Sequence, residues 1–343
     1  MEVFPIPQEV LFVLERLNAA AFEAFCVGGC VRDTLLGRSP ADWDVTTNAL
    51  PEQIKACFAD CRLLETGIRY GTVTVLVDQM PIEVTTYRAD GVYLDHRHPE
   101  QVSFSSKLED DLARRDFTVN AMTYHPAQGL IDVFGGEDDL HAGILRCVGD
   151  PARRFEEDAL RILRCLLFAS ELGFSIEQKT DAVLREKRES LSSISGERIR
   201  ESLLRLLCGT NAEQVLQEYP EVLLPLLPQL LPMSKRRIRH LLDVLGEQRF
   251  FALLDRTEQQ GGEVKQARGD AKELIAREKA SQLPKLAITG RELLSLGIPA
   301  GPELGAILEQ LLGMVADGKI ENAQTALLKA AKEIYETKRT PCE

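Results

Sequence analysis

Val27-Gly28-Gly29-Cys30-Val31-Arg32-Asp33-Thr34-Leu35-Leu36-Gly37-Arg38, followed shortly by Asp42-Trp43-Asp44, is the stretch on which the reading of this chain turns. A β-rich run ends in Gly-Gly and passes into a helix. Without side chains the backbone there can approach a phosphate closely, and amides at the helix start point at such an anion. Arg32, one turn in, adds positive charge. Asp42 and Asp44 stand i, i+2 on a predicted strand, so both carboxylates project from one face. Adjacent carboxylates repel unless a cation joins them, and Mg²⁺ is the hard ion that carboxylates and phosphates share. Singly, a glycine pair is a turn and Asp-x-Asp a solvated pair. In this order and this close together, they predict phosphoryl or nucleotidyl transfer.

Working outward, residues 1–140 read as mixed α and β. Helical apolar spacing covers Glu9 to Ala24, and Pro51 to Phe58 reads as a helix with proline in its first turn. Strands are predicted at Ala24–Val27, Asp44–Thr46, Thr72–Leu76, Ile82–Thr86 and Leu130–Val133, and a helix over Asp110–Met122. From about Pro151 strand signals nearly vanish. Helical patterns cover Arg154–Leu172, Glu197–Leu207 and Lys235–Leu245, a charged stretch over Gln259–Glu278 reads as a solvated segment or linker, and Asn322–Tyr335 reads as a last helix. Thr289, with Glu292 three residues on, has the spacing of a capping box. The expected fold class is α+β: a head with a mixed sheet, followed by an all-helical remainder.

The 343 residues carry a net charge of −12, unevenly placed. Residues 1–140 hold 23 acidic and 11 basic side chains, whereas residues 141–343 hold 30 of each. A protein that gripped nucleic acid over its whole surface would be basic. This one is expected to do so only through local patches, the clearest being Lys235-Arg236-Arg237-Ile238-Arg239, whose alternative is a solvated helix face. Cys26/Cys30 and Cys57/Cys61 are too widely spaced for a usual zinc site and read as reduced thiols. No apolar run spans a bilayer, and no leader pattern opens the sequence, so a cytoplasmic location is expected.

The head motif, Gly28-Gly29-x-Val31-Arg32-Asp33 with Asp42-x-Asp44, resembles the DNA polymerase β superfamily, specifically the class II tRNA nucleotidyltransferase/poly(A) polymerase family. Further blocks agree in order: Ile82–Arg88, Arg114-Arg115-Asp116-Phe117-Thr118-Val119-Asn120-Ala121, Ile131–Gly136, and Glu157-Asp158-Ala159-Leu160-Arg161-Ile162-Leu163-Arg164. Leu286–Gly297 is similar to the C-terminal segment of bacterial CCA-adding enzymes. The resemblance implies a polymerase β-like catalytic head (1–140), a helical neck carrying a nucleobase-selecting helix (141–207), a helical body (208–285) and a tRNA-binding tail (286–343).

By the same resemblance Asp42 and Asp44 bind Mg²⁺, with Glu83 either a third catalytic carboxylate or a strand-end glutamate paired with an arginine. Gly28, Gly29 and Arg32 would meet the triphosphate. Arg115, Asp116 and Asn120 would meet the nucleotide's ribose and phosphates, Asp116 and Asn120 sharing a predicted helix face. Asp158 and Arg161 stand i, i+3 on the predicted helix that starts near Arg154, either as an ion pair or as a template made of protein. Asp158 only accepts hydrogen bonds and Arg161 only donates. Cytosine and adenine each present an amino donor beside a ring-nitrogen acceptor, which matches that pair, whereas uracil and guanine present the reverse. Arg164 would orient Asp158 or reach the nucleotide, while Leu167 stands where some relatives carry a basic residue. Lys235, Arg236, Arg237 and Arg239 suit phosphates of a tRNA arm. The polar loop 89–106 matches one that in the family helps reshape the site for A.

The implied activity is template-independent transfer of CMP, CMP and AMP from CTP and ATP to a tRNA 3′ end, releasing pyrophosphate. The alternatives are addition of A alone, poly(A) synthesis, and more remotely a non-catalytic tRNA- or nucleotide-binding module. No His-Asp metal motif marks a hydrolase in the helical half, and residues 219–277 look abbreviated beside longer relatives.

Overall fold

The computed structural model describes residues 4–89, 103–282, 286–299, 301–316 and 319–339. Helix α1 (Gln8–Ala19) buries Val10, Val13, Leu14 and Leu17, the stripe expected of its spacing, and packs on strand β1 (Ala24–Val27). Then follow α2 (Gly29–Leu35), β2 (Asp44–Thr47), α3 (Pro51–Cys57), β3 (Arg62–Leu64), β4 (Thr72–Val77) and β5 (Met80–Thr86). Short strands β6 (Arg88–Ala89) and β7 (Ser103–Phe104) pair antiparallel at the base of the 89–106 loop, of which residues 90–102 lie outside the described residues. Helix α4 (Leu108–Ala113) leads to a 3₁₀ turn, Thr118–Asn120, and then β8 (Met122–His125), β9 (Gly129–Asp132) and α5 (Gly136–Ala142).

Seven strands form one mixed sheet in the order β3-β4-β5-β2-β1-β8-β9. Only β2 and β5 run parallel, with Asp44 opposite Glu83; the other neighbours are antiparallel. All four residues of β1 are buried, as fits a central strand covered on both faces. The expected strands are present with boundaries shifted by at most two residues at either end. One segment differs in type: Asp110–Met122 is not a single helix but a short helix, an extended Phe117 (φ −127°, ψ 150°) and the 3₁₀ turn. Phe117 bridges to Cys147, and that pairing draws the chain out of the helix.

Beyond the sheet, β10 (Ile144–Leu145) pairs parallel with β11 (Ser175–Ile176), and the rest is helical. The helices are α6 (Pro151–Glu157), α7 (Leu160–Leu172), α8 (Gln178–Glu186), α9 (Gly196–Cys208), α10 (Ala212–Glu218) and α11 (Pro220–Leu223). The predicted helix Arg154–Leu172 is therefore two, broken where Asp158 turns extended (φ −145°, ψ 103°). Helices α7 and α9 pack together, and Leu163, Leu167, Leu203 and Leu206 on them lie in the core. Helix α12 (Lys235–Gln259) bends at Gly246, whose φ of 76° suits glycine.

The expected linker at 259–278 is instead largely α13 (Lys265–Gln282). On it Ala267, Ala271 and Leu274 form a narrow buried stripe that the charged composition of the segment conceals. Helices α14 (Gly290–Ser295), α15 (Pro302–Ala316) and α16 (Gln324–Arg339) enclose a small core of Leu293, Ile307, Leu311 and Leu327. Thr289 caps α14 with Glu292 in a capping box, as its spacing predicts. By contact density the chain divides into two compact units, Met1–Met233 with Leu241–Val264, and Ser234–His240 with Lys265–Glu343. Among the described residues no helix is long and apolar enough to cross a membrane.

Candidate active site

The glycine turn between β1 and α2 has a local physical cause. Gly28 has φ of 80°, and a Cβ there would stand 2.8 Å from the Arg115 Nη1. Its N–H donates to the Met122 carbonyl, tying the turn to β8. Gly29 is different: a methyl at that position would have the Arg32 Nη2 as its nearest atom, at 3.8 Å, so packing does not demand glycine there.

From this turn a continuous polar network runs to the helical half. Arg32 is buried; its Nε donates to Asp33 at 2.8 Å and its Nη1 to Asn120 Oδ1 at 2.7 Å. Asn120 Nδ2 donates to Asp116 Oδ1 at 3.2 Å, and Arg164 grips Asp116 Oδ2 through Nε and Nη2 at 2.8 and 2.6 Å. Both guanidiniums, Arg32 and Arg164, stack over the Phe168 ring at just over 5 Å. Burial alone would raise the Asp116 carboxyl, but Arg164 and Asn120 beside it hold it below the usual carboxylate range. Asp116 and Asn120 thus meet, although through a turn rather than a helix face. Arg164 orients Asp116, not Asp158, and Leu167 lies in the core.

The acidic pair stands at the start of β2. Asp44 opens the strand, whereas Asp42 sits in the preceding bend and is exposed, so the two do not share one strand as expected. Burial, then the charges of Asp42 and Glu83, push the Asp44 carboxyl up to about 6, against the opposing pull of Arg115. Glu83 is exposed on β5 and makes no ion pair among the described residues, so the alternative of a strand-end glutamate tied to an arginine is not what is found.

Beneath this strand lies Asp111, which is fully buried. It accepts from Arg114 Nη2 at 2.6 Å, Arg115 Nη2 at 3.3 Å, the Thr46 hydroxyl at 3.1 Å and the Arg88 amide at 3.3 Å. Thr46 is two residues from Asp44, so Asp111 fixes Arg115 relative to the acidic pair. Burial opposes the charge, but Arg114 and Arg115 win and hold the Asp111 carboxyl at about 2. Its spacing from Arg114 and Arg115 (i, i+3 and i, i+4) is the signal by which it could have been found.

At the break between α6 and α7, Asp158 and Arg161 do not form the ion pair that i, i+3 spacing on one helix would allow. Asp158 Oδ1 accepts the Leu160 N–H at 3.0 Å, and Oδ2 pairs with Arg198 of α9 at 3.0 Å. Arg161 donates from Nη1 to Glu157 at 2.7 Å and to the Arg154 carbonyl, and from Nη2 to the Arg114 carbonyl. Buried Glu157 also holds Arg154 at 2.9 Å. Carboxylate and guanidinium are each fixed by their own partners. Arg115 Nε and Arg198 Nη1 are buried without a hydrogen-bond partner among the described residues.

The Ile131–Gly136 block is architectural. Asp132 accepts from the Gly136 and Glu137 amides at 2.9 Å each, and a Cβ on Gly136 would press to 2.2 Å from the Thr118 carbonyl of the turn carrying Asn120. In the second compact unit Lys235 pairs with Glu273 at 2.6 Å and with Asp270 at 3.7 Å, while Arg236 and Arg239 are exposed and Arg237 half-buried. A cleft of about 400 Å³ between the α9–α10 corner and the second half of α12 is lined by none of the residues above.

The donor set fits a hard divalent ion in part. Asp42 and Asp44 offer carboxylate oxygens; burial first, and the charges of Asp42 and Glu83 second, raise the Asp44 carboxyl, and a cation would relieve the second of these. Among the described residues no three His, Cys, Asp or Glu side chains gather into a metal cage. An ion such as Mg²⁺ takes one or two carboxylates and completes its shell with water and substrate phosphates, and Asp42 and Asp44 are the residues that would hold it.

A mixed sheet with a glycine turn, an adjacent acidic pair and a ladder of arginines defines a nucleotidyltransferase head. Residues 24–146 match the poly A polymerase head domain, residues 173–239 the family described as the probable RNA and SrmB-binding site of polymerase A, and residues 245–331 the family described as tRNA nucleotidyltransferase domain 2. The CCA-adding enzyme of Lactobacillus helveticus is 34% identical over 94% of this chain and 96% of its own. That of Lactobacillus delbrueckii subsp. bulgaricus is 35% identical over 92% and 95%. The crystal structure of the Bacillus stearothermophilus CCA-adding enzyme in complex with CTP superposes with a TM-score of 0.63 at 28% identity, covering 98% of this chain and 99% of that one. The chain belongs to the class II CCA-adding enzyme family, and it is a nucleotidyltransferase.

Proposed function

We propose that this chain adds CMP, CMP and AMP, in that order and without a nucleic-acid template, to the 3′ end of tRNA in the cytoplasm. The reading rests on the break at Asp158, which sets an acceptor-only carboxylate three residues from a donor-only guanidinium, each already held by other groups. Such a pair matches the amino donor and ring-nitrogen acceptor of cytosine and adenine. Against uracil or guanine it leaves polar groups unpaired, at a cost of about 1–3 kcal/mol per contact.

In the reaction the tRNA 3′-oxygen bonds to the nucleotide's α-phosphorus, the bond to the bridging oxygen breaks, and pyrophosphate leaves. Asp42 and Asp44 would hold Mg²⁺, which when bound activates the attacking oxygen and neutralises charge on the phosphates. Gly28 and Gly29 admit the triphosphate to the backbone, and Arg32 and Arg115 supply its countercharge. Asp116 and Asn120 face the ribose, and Arg164 holds Asp116 charged and in place. Glu83 adds negative charge beside Asp44. We assign residues 1–140 to the head, 141–207 to the neck, 208–285 to the body and 286–343 to the tail. With Lys235 tied to Glu273 and Asp270, phosphate contacts to tRNA fall chiefly to Arg236, Arg237 and Arg239.

The test supplies purified protein with tRNA transcripts ending before CCA, after C and after CC, each with Mg²⁺ and one labelled nucleotide. CMP on the first two and AMP on the third is the expected result. AMP on the third transcript alone would make it an A-adding enzyme, and long A tracts on any RNA a poly(A) polymerase. Bound nucleotide without transfer would point to a binding module.

A further inference from the structure

We infer that Arg198 is a positioning residue for base selection, setting the Asp158 carboxylate so that it reads an amino group; this rests on the assignment of Asp158 and Arg161 as the base-reading pair. Arg198 lies 40 residues from Asp158, on α9, where no motif of the head points to it. Its Nη2 reaches Asp158 Oδ2 at 3.0 Å, and both side chains are largely withdrawn from solvent, at 24% and 20% exposure.

The form of this contact is informative. An arginine and an aspartate that serve only to hold two helices together commonly engage as a two-pronged fork, which occupies both oxygens. Here the grip is single. Oδ1 is taken by the Leu160 N–H, Oδ2 by the guanidinium's Nη2, and its Nη1 is buried without a hydrogen-bond partner among the described residues. A carboxylate has about four lone-pair sites. One donor on each oxygen stops its rotation yet leaves a lone pair on each for a base. A full fork, with the Leu160 N–H kept, would put two donors on Oδ1 and leave a base a lone pair on Oδ2 alone: a stronger structural ion pair and a poorer reader. The offset grip forgoes a buried hydrogen bond, which makes sense if the carboxylate's remaining acceptor capacity is what is being preserved.

Removing Arg198 therefore frees one end of Asp158. Rotated, the carboxylate no longer excludes a base that presents a carbonyl in place of an amino group, and discrimination falls while the machinery at Asp42 and Asp44 is untouched. A lysine at 198 can still supply one donor, so it preserves most of the effect.

The experiment measures steady-state incorporation of CMP and UMP onto a tRNA transcript lacking CCA, as kcat and KM for each nucleotide. It uses the wild type, Arg198→Met, Arg198→Lys, Asp158→Ala and Arg205→Met. Arg205, on the same helix as Arg198, pairs with Glu171 of α7 at 3.0 Å, outside the site, and controls for general loosening of α9. The expected result for Arg198→Met is a CTP/UTP preference reduced about tenfold or more, carried mainly by KM, the value of one charge-assisted hydrogen bond. Arg198→Lys should recover most of the preference, and Arg205→Met should keep all of it. An unchanged preference in Arg198→Met, or equal losses in Arg198→Met and Arg205→Met, would overturn the inference. If Arg198→Met fails to fold, a lysine variant that folds but has lost the preference would also overturn it. A wild-type preference that survives Asp158→Ala would instead sink the base-reading assignment itself.

Discussion

Replacing Asp111 by asparagine keeps the shape of a fully buried side chain and removes the charge that Arg114, Arg115, Thr46 and the Arg88 amide converge on. The folded carboxyl sits at about 2, below the 3.8 of an ordinary aspartate. Because the native value is depressed, the charge stabilises the fold above pH 4, and this contribution is lost as pH falls through about 2. At about 1.4 kcal/mol per pH unit, the difference amounts to roughly 2–3 kcal/mol at pH 7 and about half that at pH 3. An amide N–H₂ facing two guanidiniums adds to the cost, so the figure is a lower bound. Trp43, the single tryptophan, is buried between Asp42 and Asp44 and reports unfolding of the head selectively. Urea titrations followed by its fluorescence should show Asp111→Asn less stable by that amount at neutral pH, with the gap narrowing towards pH 3. A gap that is absent at pH 7, or that stays constant down to pH 3, would refute the assignment of Asp111 as the charged anchor of Arg115.

Three further outcomes follow from the same geometry. Gly28→Ala forces an alanine to φ of 80° and a methyl against Arg115; urea unfolding should show a loss of about 1–3 kcal/mol, and KM should rise for CTP and ATP together. Arg164→Met leaves the buried Asp116 charge unpaired, which should cost about 3–5 kcal/mol, and Arg164→Lys, lacking the fork, should recover only part of it in the same titration. Asp42→Ala alters an exposed bend, so stability should change by less than about 0.5 kcal/mol, while Mg²⁺-dependent transfer in a labelled-CTP assay falls by three orders of magnitude or more, about the several kcal/mol a metal contributes.

The sheet was legible because its strands carry local signals. Thr72–Val77 and Ile82–Thr86 alternate, and Ala24–Val27 is apolar throughout, as a central strand requires. The helix boundaries that failed did so for tertiary reasons. Arg154–Leu172 has uninterrupted helical spacing, yet Asp158 turns extended, its carboxylate held by the Leu160 amide and by Arg198. The i, i+4 spacing of Asp116 and Asn120 suggested contact through a helix; contact occurs, but Phe117 is drawn into a bridge with Cys147 and a turn does the work. In α13 the apolar stripe of Ala267, Ala271 and Leu274 was outweighed by charge in the surrounding composition.

The site residues that carry motif positions were visible as residue types at characteristic distances. Their supports were not equally so. Glu157 opens the Glu157–Arg164 motif and Asp111 precedes the Arg114–Ala121 motif at helical spacing, so both had a local signal. Phe168 reads as one more core aromatic, and only the stacking of Arg32 and Arg164 over it shows its second use. Arg198 had none, since a partner 40 residues away is selected by the packing of α9 on α7 and by nothing in its own neighbourhood.

The account stands most directly on selection of bases by side chains. A tRNA transcript lacking its three terminal nucleotides, incubated with the protein, Mg²⁺ and all four nucleoside triphosphates together, and then sequenced at its 3′ end, reads that selection in full. The predicted product population ends in CCA and goes no further. Tails of A, or substantial UMP or GMP at any of the three positions, would contradict it.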